Sequence, residues 1–300
     1  MKNVLVVYFS QSGQLTEIVN NFITPLRNQD NISVDHYAIE MLENFPFPWT
    51  NDAFFDVFPE SFLMIPEKIK PIPQSICQKN YDLIILAYQV WYLSPSIPIN
   101  SFLNSDEGKK IIQNKPIITL SASRNMWTMA QQKVKNTLNQ CNAQLVGNIA
   151  LTDRNINHIS VITIVHWMFT GKKERRWGIL PPPGVSQKDI STASIYGNIL
   201  IPYLNSGNYD QMQAKIVQNG AVHLKYFLIS ADKKANRLFS IWAKKIHKSP
   251  RRKLLLKIFK IYLYIAIWVL MPIVMLFYWL TMPLCYPKRR KEFNKIRYNI

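Results

Sequence analysis

Cysteine is scarce in this 300-residue chain: Cys77, Cys141 and Cys285 are the only three, and they lie far apart. That spacing fits neither a disulfide framework nor a zinc site, so reduced thiols in a cytoplasmic setting are the simple reading. Acidic residues number 18 against 36 basic ones. A secretory signal is not expected at the start. Lys2 precedes only six uninterrupted apolar residues, Val4–Phe9, with no small-residue cleavage site after them. Gly-x-Gly-x-x-Gly and Gly-Lys-Ser/Thr are both missing from the turn that follows, which sets aside the common dinucleotide and nucleotide-triphosphate loops. Hydrophobic residues make up 48% of the chain, so it is neither disordered nor collagen-like.

The charge is unevenly distributed. Residues 1–230 hold 19 Lys+Arg against 16 Asp+Glu, a net +3, whereas residues 231–300 hold 17 against Asp232 and Glu292, a net +15. A nearly neutral domain is joined to a basic tail, which suits nucleic acid, anionic lipid or an acidic partner.

Apolar runs organise the first part. Asn3–Phe9, Leu83–Tyr88 and Pro116–Leu120 read as buried strands, Ala143–Leu151 as a further strand, and Ile32–Ile39 alternates like a half-buried edge strand. Helical patterns lie between and after them, at Leu15–Leu26, Ile99–Gln113, Met129–Cys141 and Asp189–Leu204, the last with Asp189 or Ser191 as its cap. About five strands alternating with helices predict an α/β doubly wound parallel sheet, with its ligand beyond the carboxyl ends of the strands. Residues 1–205 are expected to form this domain, with a Pro- and Phe-rich insertion at 44–77 and a partly apolar, then basic one at 154–186, both of which suit lids or substrate walls.

The turn after the first strand is Ser10-Gln11-Ser12-Gly13-Gln14-Leu15-Thr16. Free amides and the positive end of the helix dipole favour a phosphate there, Ser and Thr hydroxyls add donors, and Gly13 permits close approach. A polar turn without a ligand is the plain alternative. The turn after the second buried strand, Gln89–Pro98, brings Val90, Trp91 and Tyr92, and flat aromatics match a planar ring. The turn after the third brings Ser121, Ala122, Ser123, Arg124 and Asn125, where Arg124 is either a charge beside a ligand or a solvated surface group.

FSQSGQLTEI resembles the FMN phosphate loop of flavodoxin-like oxidoreductases, one residue longer than the compact form because Leu15 intervenes before Thr16. The quinone-reductase branch has a similarly extended loop. The resemblance implies FMN as cofactor, held at Ser10–Thr16, with the ring beside Trp91 or Tyr92 and its pyrimidine edge at Ser121–Asn125. Together with FPFPWT…FFDVFPESF and the basic apolar tail, the loop resembles the dialkylresorcinol condensing enzyme family of aryl-polyene and flexirubin pigment clusters. That family implies a flavin-dependent, aromatase-type oxidoreductase converting a 2,5-dialkylcyclohexane-1,3-dione to a resorcinol. A separate ketosynthase would perform the condensation, since no cysteine here has the setting of an activated nucleophile. An NAD(P)H quinone reductase and a flavin-free scaffold are the rival readings.

The dione reaction needs a proton acceptor, and Tyr88, Tyr92, His158 and His166 are candidates, with His158 and Tyr92 preferred. Phe54, Phe55, Phe58, Phe62, Trp167, Met168 and Phe169 are expected to line a channel for alkyl chains. No metal site is expected.

Residues 206–300 are expected to be a basic helical extension. Ile261–Tyr286 has no charge over 26 residues. As a helix it would span about 39 Å, more than the roughly 30 Å of a hydrocarbon core. Eight Lys+Arg in 244–260 and six in 288–297 flank it. Positive flanks stay cytoplasmic, so a re-entrant hairpin around Pro272 is preferred to a single span, on the cytoplasmic face of the inner membrane with anionic lipid as partner. Nucleic acid gives no reason for the apolar run. The ketosynthase and a second copy of the chain are the candidate protein partners.

Overall fold

The computed structural model describes residues 1–298; residues 299 and 300 of the expected extension lie outside them. Five parallel strands form the sheet: β1 (Lys2–Tyr8), β2 (Ile32–Ala38), β3 (Leu83–Trp91), β4 (Pro116–Ser123) and β5 (Gln144–Thr152). Their order is β2-β1-β3-β4-β5, and Ser94–Pro95 folds back antiparallel on β3. This is the flavodoxin-like order, whose switch point lies between β1 and β3. Strand alternation splits the core in two. Val4 and Val6 face α1 (Gln14–Arg27), whereas Leu5 and Val7 face the opposite layer.

The first insertion forms two short helices, α2 (Asn51–Asp56) and α3 (Phe58–Leu63). On the Leu5 face lie α4 (Ile97–Asn104) and α5 (Thr128–Gln140). The expected helix at 99–113 is broken at Ser105, whose hydroxyl accepts from the Gly108 amide and starts a second helix, Asp106–Ile112. The second insertion is largely helical, as α6 (Asn157–Thr170). The helix expected at 189–204 is two: Gln187–Ser191, capped by Ser186 rather than Asp189 or Ser191, and α7 (Ala193–Ser206). A Cβ on Gly197 would strike the Phe22 carbonyl, so glycine there lets α7 lie against α1.

The domain does not stop at 205. α8 (Met212–Gln218) follows, and Met212, Ile216, Val217 and Val222 are core residues of the α1 face. The Gln213 side chain bonds both backbone groups of Asn148 on β5. The boundary therefore lies beyond Val222.

The tail docks on the domain. α9 (Tyr226–Ile246) contributes the fully buried Asp232, whose Oδ2 accepts from Thr128 Oγ1 at 2.7 Å and the Met129 amide at 3.1 Å. It thus caps α5 from another element, where the helix dipole favours a negative charge. A continuous helix, α10 (Arg252–Leu280), comes next. Its turns widen at Ala266–Leu270, just before Pro272, which absorbs the missing proline amide without reversing the chain. The reversal comes at Thr281 instead of Pro272, and α11 (Met282–Tyr298) returns to the domain. There Phe293 stacks on Tyr226 at 4.4 Å, and Lys233 pairs with Glu292.

Candidate functional site

The site lies at the carboxyl ends of β1, β3 and β4, where the switch point leaves a crevice. Gly13 has φ +81° and ends the loop in a left-handed turn, which an L side chain adopts only with strain. Among the described residues, the amides of Ser12, Gly13, Gln14 and Leu15 meet no acceptor within the chain. The flanking amides are engaged: Gln11 donates to Gln89 Oε1 at 3.3 Å, and Thr16 to Ser10 Oγ at 3.3 Å. Four consecutive free donors at the start of a helix are an arrangement that can hold an anion.

Long polar side chains of the loop are structural. Gln14 clamps both backbone groups of Val185, at 3.1 and 3.0 Å, and Gln11 donates to the Pro46 carbonyl at 2.7 Å. Both insertions are thereby tied to the loop. Ser10 Oγ accepts from the Thr16 amide, and neither residue lines the cavity.

Beside the loop is a mainly apolar cavity of about 320 Å³. That falls at the small end of the range of about 300 to 1,000 Å³ usual for ligand sites. Its floor is Val90, Trp91 and Tyr92, its polar edge Ala122, Ser123 and Arg124, and its walls Phe54, Phe55, Trp167, Met168 and Phe169. Val90 and Trp91 belong to β3, and Ser121–Ser123 to β4, so these residues extend the strands rather than forming loops. Tyr92 and Leu93, with φ 48° and 60°, make the tight turn that brings Ser94–Pro95 back. A second, more open hollow, with Lys135, Asn139 and Tyr209 in its lining, sits at the opposite ends of the strands, far from the free amides.

Trp91 is packed edge-on by Phe45 at 5.1 Å and Trp49 at 5.4 Å, so it is both wall and core. Arg124 donates to Asn157 Oδ1 at 2.7 Å. Burial lowers its pKa to about 10, and the Asp153 charge partly offsets this. Asn125 donates to the same Asn157 oxygen at 2.8 Å and does not line the cavity. Ser121, also outside the lining, and Ser123 each keep a buried hydroxyl without a partner.

The proton-acceptor candidates are not brought into the cavity in usable form. Tyr88 is buried and donates to Gln131 Oε1 at 2.6 Å. Tyr92 lines the cavity, but its hydroxyl donates to the Phe54 carbonyl at 2.6 Å, and burial pushes its pKa up. His158 lies outside the lining: its Nε2 is 3.3 Å from the Ile267 carbonyl, and its ring stacks obliquely 5.3 Å from Trp268. His166 does not reach the cavity either. The expected catalytic roles of His158 and Tyr92 are thus replaced by structural ones. Phe58 and Phe62 also leave the channel, packing instead with Phe239 and Phe259 of the tail.

Sequence reasoning missed two contributors. Gln89 orients the phosphate loop and lines the cavity. The apolar helix α10 supplies Leu263, Tyr264, Ile267 and Trp268 as a wall. Its position is held by Arg252, which forms a two-armed pair with Glu60 at 2.7 Å on each arm, and by Phe259 stacked on Phe58 at 3.8 Å. Among the described residues no cluster of His, Cys, Asp and Glu could hold a metal.

A doubly wound domain with free amides at its first helix start and an apolar crevice beside them defines the class. Among solved structures, the chain is similar to several flavoproteins. A flavoprotein from Lactobacillus acidophilus NCFM in complex with FMN is 16% identical, covering 50% of this chain and 93% of its own, with a TM-score of 0.40. A flavodoxin from the domain Archaea is 12% identical, covering 68% and 99%, with a TM-score of 0.38. Oxidised flavodoxin 1 from Bacillus cereus is 11% identical, covering 67% and 99%, with a TM-score of 0.36. No protein-family model and no curated protein matches the chain.

Proposed function

We propose that this chain is a membrane-associated, FMN-dependent oxidoreductase that aromatises an apolar dialkylcyclohexane-1,3-dione to a resorcinol in aryl-lipid pigment synthesis. The observation that carries the flavin reading is the row of four free amides, Ser12–Leu15, opening onto an apolar cavity. Neutral donors at a helix start suit a phosphate monoester. The unpartnered hydroxyl of Ser123 and the guanidinium of Arg124 would suit the polar edge of a flavin ring, and Trp91 would help to hold the ring and keep water from it. The residues present therefore fit the group.

FMN, when bound, supplies the two-electron acceptor for the hydride lost from the dione ring. The chain's own part is to position and to polarise. Arg124 holds a positive charge over the cavity and stabilises an enolate oxygen, so the acidic C–H of the dione can lose its proton to water. The Phe54, Phe55 and Met168 walls would hold the alkyl chains.

Membrane association is supported by α10, whose long apolar stretch the rest of the described chain leaves almost wholly uncovered. Basic clusters flank the apolar stretch at Lys244–Lys260 and Lys288–Arg297, and anionic headgroups would complement them.

Purified full-length chain should carry FMN and form the resorcinol from the dione. Equal rates from FMN-free chain would reject the mechanism. One observation favours a second reading, an NAD(P)H quinone reductase: the polar groups lining the cavity are amides, hydroxyls and Arg124, and quinone reduction needs no base. NAD(P)H-dependent quinone turnover without dione turnover would select it.

A further inference from the structure

Of the described residues lining the cavity, Val165, Tyr264 and Trp268 alone are exposed, at 38%, 45% and 43%. They mark where the cavity meets the outside away from the phosphate loop. Val165 belongs to α6 and the other two to α10. The contacts of His158 with Ile267 and Trp268 hold these two helices together beside the opening.

The opening does not face a polar surface. Ile261, Ile265 and Val269, exposed on the same helix as Tyr264 and Trp268, continue the apolar face outward. An exposed apolar surface of this extent marks a protein or membrane interface. The charge pattern selects the membrane. Arg251, Lys253 and Lys257 precede the apolar stretch, and Lys288, Arg290 and Lys291 follow it. Anionic headgroups match both clusters, and the stretch between them suits acyl chains.

We infer that the mouth between Val165 and Tyr264–Trp268 admits the alkyl chain of an amphiphile directly from the bilayer into the cavity. The substrate is then taken from the lipid phase and not from water. This rests on the membrane half of the proposed function and not on FMN. A chain entering here would run along Met168 and Phe169 toward Trp91, with its polar head left nearest Arg124 or at the headgroup level.

The test uses the full chain on phosphatidylcholine–phosphatidylglycerol vesicles containing stearic acid with a mid-chain diazirine. After photolysis, adducts are mapped by peptide mass spectrometry, and FMN content is measured on the same samples. Adducts are expected on the outer face of α10 and also on the inner wall, at Val90–Tyr92 and Trp167. Adducts confined to the outer face in the unaltered chain overturn the proposal. In Val165→Trp the mouth is filled. Inner adducts are expected to fall about tenfold relative to outer ones, equivalent to about 1.4 kcal/mol; an unchanged ratio overturns the proposed route. Trp268→Ala widens the mouth and is expected to raise the ratio, which keeps the test decisive should Val165→Trp not fold; no rise counts against the route. Inner labelling of a chain that takes up no FMN supports the route and counts against the flavin reading alone.

Discussion

Truncating Phe259 tests whether the apolar tail is an integral wall of the site. Its side chain is fully buried, stacked 3.8 Å from Phe58 with the planes 7° apart, and it also meets Phe239 edge-on at 5.6 Å. Removing a buried phenyl group costs about 3–5 kcal/mol. The loss falls on the cluster that α10 forms with the first insertion and α9, and Val4, Leu5 and their neighbours in the sheet belong to other clusters. It should therefore appear as local opening of the tail rather than global unfolding. At about 1.4 kcal/mol per tenfold, the open population should rise by roughly two to three and a half orders of magnitude. Hydrogen exchange reads this directly. In Phe259→Ala, amides of Arg252–Tyr262 should lose protection by about that factor while those of β1 and β3 keep theirs. Unchanged tail protection, or equal loss throughout the sheet, would refute the reasoning.

Acid should release the same contact. Burial alone would raise the Glu60 carboxyl, but hydrogen bonds from Arg252 and His247 outweigh it and hold its pKa below the ordinary 4.5. A depressed folded pKa gives stability that is complete above pH 4.5 and lost as pH falls through the lower folded value. Tail protection should therefore drop below pH 4.5, and Glu60→Gln should flatten that dependence. Gly184→Ala would put a Cβ 2.6 Å from Gln14 Oε1 and 2.9 Å from Trp167 at φ +83°, so it should loosen the phosphate loop and weaken FMN binding by about tenfold in a flavin titration. Tyr92→Phe loses only a hydrogen bond to a carbonyl and should retain turnover in the dione assay, with a stability loss of about 1 kcal/mol in thermal melts. Vesicle binding should survive high salt and yield to detergent; release by salt alone would reject insertion of the apolar face.

The strands and the phosphate loop were legible because each is a local pattern. Val4–Val7 and Ile84–Leu86 are continuous buried runs, and Ser-Gly before an amphipathic helix is a helix start with free donors. Strand ends were less legible: Gln89–Trp91 and Ser121–Ser123 are polar or aromatic, and only pairing with neighbouring strands identifies them as β. The helix breaks at Ser105 and Thr192 follow from local capping that competes with the apolar period. His158 was assigned to the ligand edge by its position after β5, which it does occupy, but a ring's direction depends on the partner it meets, here α10. The docking of α10 could not be read from its sequence. Its long apolar run and basic flanks describe a membrane segment equally well with or without the Phe58–Phe259 and Glu60–Arg252 contacts, which join residues about 200 positions apart.

The central claim is that free amides at Ser12–Leu15 grip a phosphate, and comparing FMN with riboflavin on the full chain measures it most directly. Two charge-assisted bonds of about 1.5–3 kcal/mol each predict at least about a hundredfold tighter binding of FMN, seen in the flavin absorbance. Equal affinity for the two flavins, or none for either, would contradict it.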